Sequence, residues 1–224
     1  MDNAAALDKE FGLVADLVKL TARDLPDHTT FILDGRRQSY AETIKLMDRV
    51  AAALQRDGVK QREAISVCAS TSIEYATLFL GALSIGVVTA PLAPSSTPEQ
   101  LEGMVKDSGA KLLFLDASTA DSLKNAGDAS TIRISLDGSD CGKPFAEWLA
   151  PEGSAVTPAK IEPADPFNII YSSGTTGIPK GIVQSHRMRW AHVQRANAFQ
   201  YNRTAVTLLS TPLYSNTTLV SFFP

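Results

Sequence analysis

The residues with the most chemical content stand together. An apolar run, Phe167-Asn168-Ile169-Ile170-Tyr171, leads into Ser172-Ser173-Gly174-Thr175-Thr176-Gly177-Ile178-Pro179-Lys180-Gly181. Glycines let backbone amides come close to an anion, and the hydroxyls of Ser172, Ser173, Thr175 and Thr176 with the Lys180 ammonium can be aimed at the same place. Such a loop suits a polyphosphate. It is not a Walker A loop: counted from Gly174, Pro179 falls where glycine is required, and Gly181 rather than Ser or Thr follows Lys180. A Ser/Thr/Gly stretch is often only a solvent loop. This one lies between two β-like runs, the second being Gly181–Gln184, ahead of a helix starting near Ser185-His186. That placement favours a phosphate site.

Other reactive side chains are scattered. His28, His186 and His192 have no partnering cysteine or carboxylate at ligand spacing, so no metal site is read from them. His186 reads as a helix-start residue and His192 as a surface one. Cys68 and Cys141 form neither a C-x-x-C nor a Cys/His cluster, so a disulfide framework is not suggested and a reducing, cytoplasmic setting fits. Arg187, Arg189, Arg195 and Arg203 read as the solvated face of one helix and its exit, and Trp148 and Trp190 as packing residues.

The elements that must position the loop are marked by their ends. Ser39 with Glu42 forms a capping box for a helix with Ile44, Met47, Val50, Ala51 and Leu54 on one face, stopping at Gly58. Thr71 with Glu74 is expected to open a second helix ending at Gly86, and Thr97 with Gln100, Pro98 at the first helical position, a third ending at Gly109. Between them Ala64–Cys68, Val87–Ala90, Lys111–Leu115 and Ile132–Leu136 read as buried strands. Strand–helix alternation predicts an α/β fold of βαβ crossovers, a mainly parallel sheet flanked by helices. Thr30–Leu33 and Arg37–Ser39 around Asp34-Gly35 predict a short hairpin outside it. Four prolines within 151–166 mark a surface connection, which divides the chain into a first α/β unit (1–150), the connection (151–166) and a unit beginning with the loop strand (167–224).

Composition excludes several classes. In 224 residues, 21 Lys+Arg against 24 Asp+Glu gives a net charge of −3, with no basic excess for nucleic acid. The first ten residues carry acids where an export signal would be basic and then apolar. Nothing charged lies between Glu74 and Glu99, but Gly81, Gly86, Pro91 and Pro94 interrupt the stretch, which reads as a buried helix and strand rather than a transmembrane segment.

Tyr171 through Lys180 closely resembles the Y-[TS]-S-G-T-T-G-x-P-K-G loop of the adenylate-forming superfamily, which includes acyl- and aryl-CoA synthetases, luciferases and peptide-synthetase adenylation domains. Ser39-Tyr40-Ala41-Glu42, the segment Ala82–Leu92, and Thr211-Pro212-Leu213-Tyr214 resemble further family segments in the same order. The resemblance implies the N-terminal part of the large domain of an acyl-CoA synthetase-like fold. It also implies ATP, Mg²⁺ and coenzyme A, and a small-molecule carboxylic acid converted to an acyl-adenylate and then a thioester.

By resemblance Ser172, Ser173, Gly174, Thr175, Thr176, Gly177 and Lys180 bind the phosphates, Thr175, Thr176 and Lys180 carry catalysis, and Thr176 touches Mg²⁺. Tyr214, Ser215, Asn216 and Thr217 would line an acyl or aryl pocket, with the plainer reading that they cap the next helix. Ser215 stands where synthetases commonly have a gating histidine. The family's later motifs, including its C-terminal lysine, are not found up to Pro224, so the chain is expected to be a fragment that is inactive alone and depends on a C-terminal part. The favoured reading is a fatty or aryl acid–CoA ligase. A domain loading a carrier protein and a noncatalytic nucleotide- or acyl-binding module are the alternatives.

Overall fold

A computed structural model describes residues 3–172, 179–196, 201–202 and 204–224. Two short N-terminal helices, α1 (Asn3–Leu7) and α2 (Val14–Asp24), precede a hairpin of β1 (Thr29–Leu33) and β2 (Arg36–Ser39). The hairpin is antiparallel, and Asp34 and Gly35 both take positive φ (49° and 79°), the geometry that a tight two-residue turn between twisted strands requires. Ser39 then caps α3 (Tyr40–Arg56): its side chain accepts from the Glu42 amide, and the Glu42 carboxylate accepts from the Ser39 amide at 2.7 Å.

The main sheet follows. It contains β3 (Ala64–Cys68), β4 (Val88–Pro91), β5 (Leu112–Leu115), β6 (Ile132–Ser135), β7 (Lys143–Pro144), β8 (Pro166–Ser172) and β9 (Lys180–Ser185) in the order β7-β6-β5-β3-β4-β8-β9. Every neighbouring pair is parallel except β8 with β9. The connecting helices are α4 (Ile73–Ser84), α5 (Pro98–Ser108) and α6 (Phe145–Trp148), and α7 (His186–Ala196) and α8 (Asn216–Phe222) complete the chain. The expected α/β class and mainly parallel sheet are observed.

Both faces of the sheet are covered. Along β5, Leu112 and Phe114 join the core under α3 and α4, whereas Leu113 and Leu115 join a second core with Leu101, Met104 and Val105 of α5. Successive side chains of a strand point to opposite faces, so this alternation requires a helical layer on each side. Each such leucine or phenylalanine, fully buried, contributes roughly 1.5–3 kcal/mol. α3 and α4 cross closely at Gly81, where a Cβ would lie 2.7 Å from the Val50 side chain and 2.9 Å from the Met47 carbonyl oxygen.

Two of the three expected capping boxes are present, at Ser39 and at Thr97, where Pro98 opens α5 and Gly109 closes it at φ 64°. The third is displaced by one residue. Ser72, not Thr71, caps α4, accepting from the Tyr75 amide at 3.0 Å. Glu74 is thereby released from capping and pairs with Arg36 at 2.8 Å, and the Thr71 hydroxyl accepts from the Leu213 amide. The uncharged stretch after Glu74 forms α4 and β4 inside the core, and no helix among the described residues is long and apolar enough to cross a membrane.

Residues 151–165 contain neither helix nor strand, as their prolines suggested, but they are tied down. Thr157 exchanges two hydrogen bonds with the Gln55 amide group, and the buried Asp165 carboxylate accepts from Arg62, Gln61 and the Glu162 amide. Burial opposes ionisation of Asp165, but those donors outweigh it and hold its pKa below the usual carboxylate range.

Candidate functional site

β8 and β9 are the antiparallel strands on either side of the glycine-rich segment. Ser172 and Lys180 are register partners, and both are exposed at the end of the pair. Because β8 runs parallel to β4, Ser172 lies on the side of the sheet where the parallel strands end, the side on which open α/β sheets bind ligands. Ser173, Gly174, Thr175, Thr176 and Gly177 lie outside the described residues, as does Arg203. The proposed Mg²⁺ contact at Thr176 therefore has no described geometry, and no group of three or more His, Cys, Asp or Glu among the described residues could hold a metal.

The frame of the loop is anchored on α5. The Tyr171 hydroxyl donates to the Asp107 carboxylate at 2.8 Å and lies 3.0 Å from the Met104 carbonyl oxygen. Burial, with the hydrogen bond to Asp107 second, raises the Tyr171 pKa and keeps the phenol protonated as a donor. Opposite it, Gly181 leaves no room: an added Cβ would sit 3.0 Å from Ile169 Cγ2, 3.1 Å from Asp107 Oδ2 and 3.2 Å from the Tyr171 ring. Glycine after Lys180 therefore serves strand approach to α5 as well as the loop.

The other end of the hairpin meets α7 and α8. Ser185 accepts from the Met188 amide, and the Asp165 and Pro163 carbonyls accept from the His186 and Arg187 amides, so the connection caps α7. His186 is a helix-start residue, as expected, and it is buried with its ring edge-on to Phe167 at 4.9 Å. Burial pushes its pKa down to about 4 from 6.5, with Asp165 opposing.

The folded protein thus holds His186 neutral while the unfolded chain takes up a proton near pH 6.5, so the unfolded state binds more protons across this window. Stability is full above about 6.5 and falls by about 3 kcal/mol in all as pH drops through about 4. Thermal unfolding of the wild type should therefore fall more steeply between pH 6.5 and 4.5 than that of His186→Gln. Equal slopes would show that His186 does not titrate in this way.

Two expectations about α7 are corrected. Arg187 and Arg195 are solvated, but Arg189 is only 1% exposed. Its guanidinium donates to Asn168 Oδ1 at 3.3 Å, to Gln184 Oε1 and to Asn216 Oδ1 at 2.8 Å, between the rings of Phe167 and Phe223. His192 is half-buried rather than a surface residue. The signal was available: His186, Arg189, Trp190 and Val193 follow the i, i+3, i+4, i+7 spacing of one buried helix face.

Of the proposed pocket residues, Tyr214 and Ser215 are half-buried and Asn216 and Thr217 exposed. Ser215 occupies the N-cap of α8 but makes no side-chain capping bond. The structure joins Asn216 to Gln184 and Arg189, whereas Lys180 lies four residues away on β9, about 13 Å at ~3.3 Å per residue. Ser172 and Lys180 are thus brought together, and the 214–217 segment meets the opposite half of the same strand.

Residues 18–224 match the family described as AMP-binding enzyme. The chain belongs to the AMP-binding enzyme family. It is 35% identical over 185 residues to 4-coumarate–CoA ligase 2 of Oryza sativa subsp. japonica, an alignment covering 74% of this chain and 32% of that protein. The chain spans about a third of the length of the curated relatives it matches. The same fold occurs in the luciferase-like enzyme of the nonluminescent mealworm Zophobas morio (TM-score 0.82, 22% identity, 94% of this chain and 51% of that one). It occurs also in the N-terminal domain of FACL13 from Mycobacterium tuberculosis (TM-score 0.76, 22% identity, 94% and 54%).

Proposed function

We propose that this chain is the phosphate-binding and acid-binding part of an ATP-dependent carboxylic acid–CoA ligase acting on fatty or aryl acids in the cytoplasm. The observation that carries the reading is the β8–β9 hairpin, which sets Ser172 opposite Lys180 at the two feet of the Ser/Thr/Gly loop, in a family defined by AMP binding. Similarity to 4-coumarate–CoA ligase 2 favours a CoA thioester as product over loading of a carrier protein.

In the first step a carboxylate oxygen of the acid attacks the α-phosphorus of ATP and the bond to pyrophosphate breaks. In the second the CoA thiol attacks the acyl carbon and AMP leaves. No protein nucleophile is involved, so the rate must come from positioning and from stabilising charge on the departing pyrophosphate. Ser172 can donate a hydrogen bond and Lys180 a charge-assisted one to phosphate oxygens at the end of the paired strands. Mg²⁺, when bound, neutralises part of the phosphate charge. Because the alignment covers only 32% of 4-coumarate–CoA ligase 2, we assign turnover to a protein containing this chain, and expect no acyl-CoA formation by the 224 residues alone. Pyrophosphate release by the longer protein, screened over carboxylic acids with and without CoA, tests the reading. No release with any acid would refute it.

Ser215 supplies a further test. Histidine there would be bulkier and able to narrow the route between acyl site and thiol. Ser215→His should change acid preference or the rate of thiol attack on preformed adenylate, while ATP affinity stays within about threefold, roughly 0.65 kcal/mol. A large loss of ATP affinity with unchanged acid preference would place Ser215 in the nucleotide site instead.

A further inference from the structure

Arg189 has a charge that nothing described nearby balances. Its hydrogen-bond acceptors among the described residues are all neutral amide oxygens, and its third nitrogen, Nη1, is buried without a partner. Asn168, fully buried on β8, accepts from Arg189 through Oδ1, which fixes the direction of its amide and leaves Nδ2 buried and unpartnered as well. The hydroxyl of Thr89, the register partner of Asn168 on β4, is a third unpartnered polar group. Phe167 and Phe223 face the guanidinium at 5.8 and 5.9 Å and offset part of its desolvation, and burial still pushes its pKa down to about 10.

The chemistry of the deficit is specific. Nη1 of a guanidinium and Nδ2 of an amide can only donate, so the missing partner is an acceptor. A water molecule could accept those bonds but would leave the buried cation uncompensated. A carboxylate accepts both and neutralises the charge in the fork geometry for which arginine is suited. Arg189 is hydrogen-bonded to the exposed Asn216, in the segment proposed above for the acid pocket.

We propose that Arg189, with Asn168 beside it, is a carboxylate-binding site, and that its ligand is a second carboxylate on the acid substrate, so that the acids accepted include dicarboxylates. The substrate assignment rests on the ligase reading. The site itself does not, and the same carboxylate chemistry could be met by an acidic side chain from elsewhere in the longer protein.

The test is made on the longer protein that contains this chain, with succinate, glutarate and adipate as probes and butyrate and hexanoate as monoacid controls at matched ionic strength. At least one dicarboxylate should raise the unfolding temperature of the wild type where the monoacids do not, and Arg189→Met should weaken that binding by roughly 10- to 100-fold, the loss of one charged hydrogen-bonding partner. Arg189→Lys keeps the charge without the fork, and should bind more weakly than wild type while still preferring dicarboxylates. It decides the matter if the methionine variant does not fold.

If no dicarboxylate binds but Arg189→Met, in a His192→Gln background that removes the imidazole whose charging Arg189 opposes, lowers the unfolding temperature more at pH 8 than at pH 5, the carboxylate belongs to the polypeptide: the site stands and the substrate assignment falls. Dicarboxylate binding unaffected by both substitutions overturns the proposal. So does an absence of binding with a temperature change that is the same at both pH values. Pyrophosphate exchange with monoacids, measured on the same preparations, reports separately on the ligase reading.

Discussion

Replacing Lys180 with alanine in the longer protein should lower ATP–pyrophosphate exchange by ~10²–10³, the usual loss when one preorganised donor to developing charge is removed. Lys180 is exposed at the first position of β9 opposite Ser172, and makes no ion pair with a described acid at that position. Its removal should therefore leave the fold nearly untouched, since exposed substitutions away from special features usually fall within about 0.5 kcal/mol. The combination is diagnostic: a large fall in exchange with an unchanged unfolding temperature. Unchanged exchange would mean that the hairpin does not hold the phosphates, and a fall in both would mean that Lys180 acts on the strand rather than on ATP.

A comparably large effect, on stability, is expected at Trp190. The indole is buried on α7, its Nε1 donates to the Lys9 carbonyl at 3.2 Å, and its ring would be 2.6 Å from a Cβ at Gly12. It clamps the segment between α1 and α2 against the helix that also carries His186 and Arg189. Trp190→Ala should cost about 3–5 kcal/mol in urea unfolding, through lost contacts and the cavity left behind. Gly12→Ala should cost about 1–3 kcal/mol through overpacking against the same ring. A loss below about 1 kcal/mol for Trp190→Ala would show that the N-terminal segment is not part of the cooperative core.

The legible parts of this protein are those whose physics is local. Ser39 with Glu42, Thr97 with Gln100, and Asp34-Gly35 each satisfy or turn the backbone within a few residues, so their elements could be placed before any tertiary contact was known. Where local signals are duplicated or missing, placement slips. Thr71 and Ser72 both offer a capping hydroxyl, and in the fold Ser72 takes the Tyr75 amide while Thr71 takes that of the distant Leu213. α2 begins after Leu13 with no side-chain cap, and it carries none of the start signals that marked α3 and α5.

The same division runs through the candidate site. The type, spacing and placement of Ser172 to Gly181 suggested a phosphate-binding loop from the sequence, because approach to an anion needs glycines and donors in one short segment. That α5 anchors the end of β8 through Asp107 and Tyr171, 64 residues apart, only the tertiary structure decided. It also decided that Arg189 is buried. On its own helix Arg189 reads as one of several surface cations. Its environment comes from Asn168, Gln184 and Asn216, which lie 21, 5 and 27 residues from it and converge only when β8, β9 and α8 pack around α7. Capping and turn chemistry act over three or four residues and are written in order along the chain. The burial of a charge is a sum over whatever the fold brings to it from a distance.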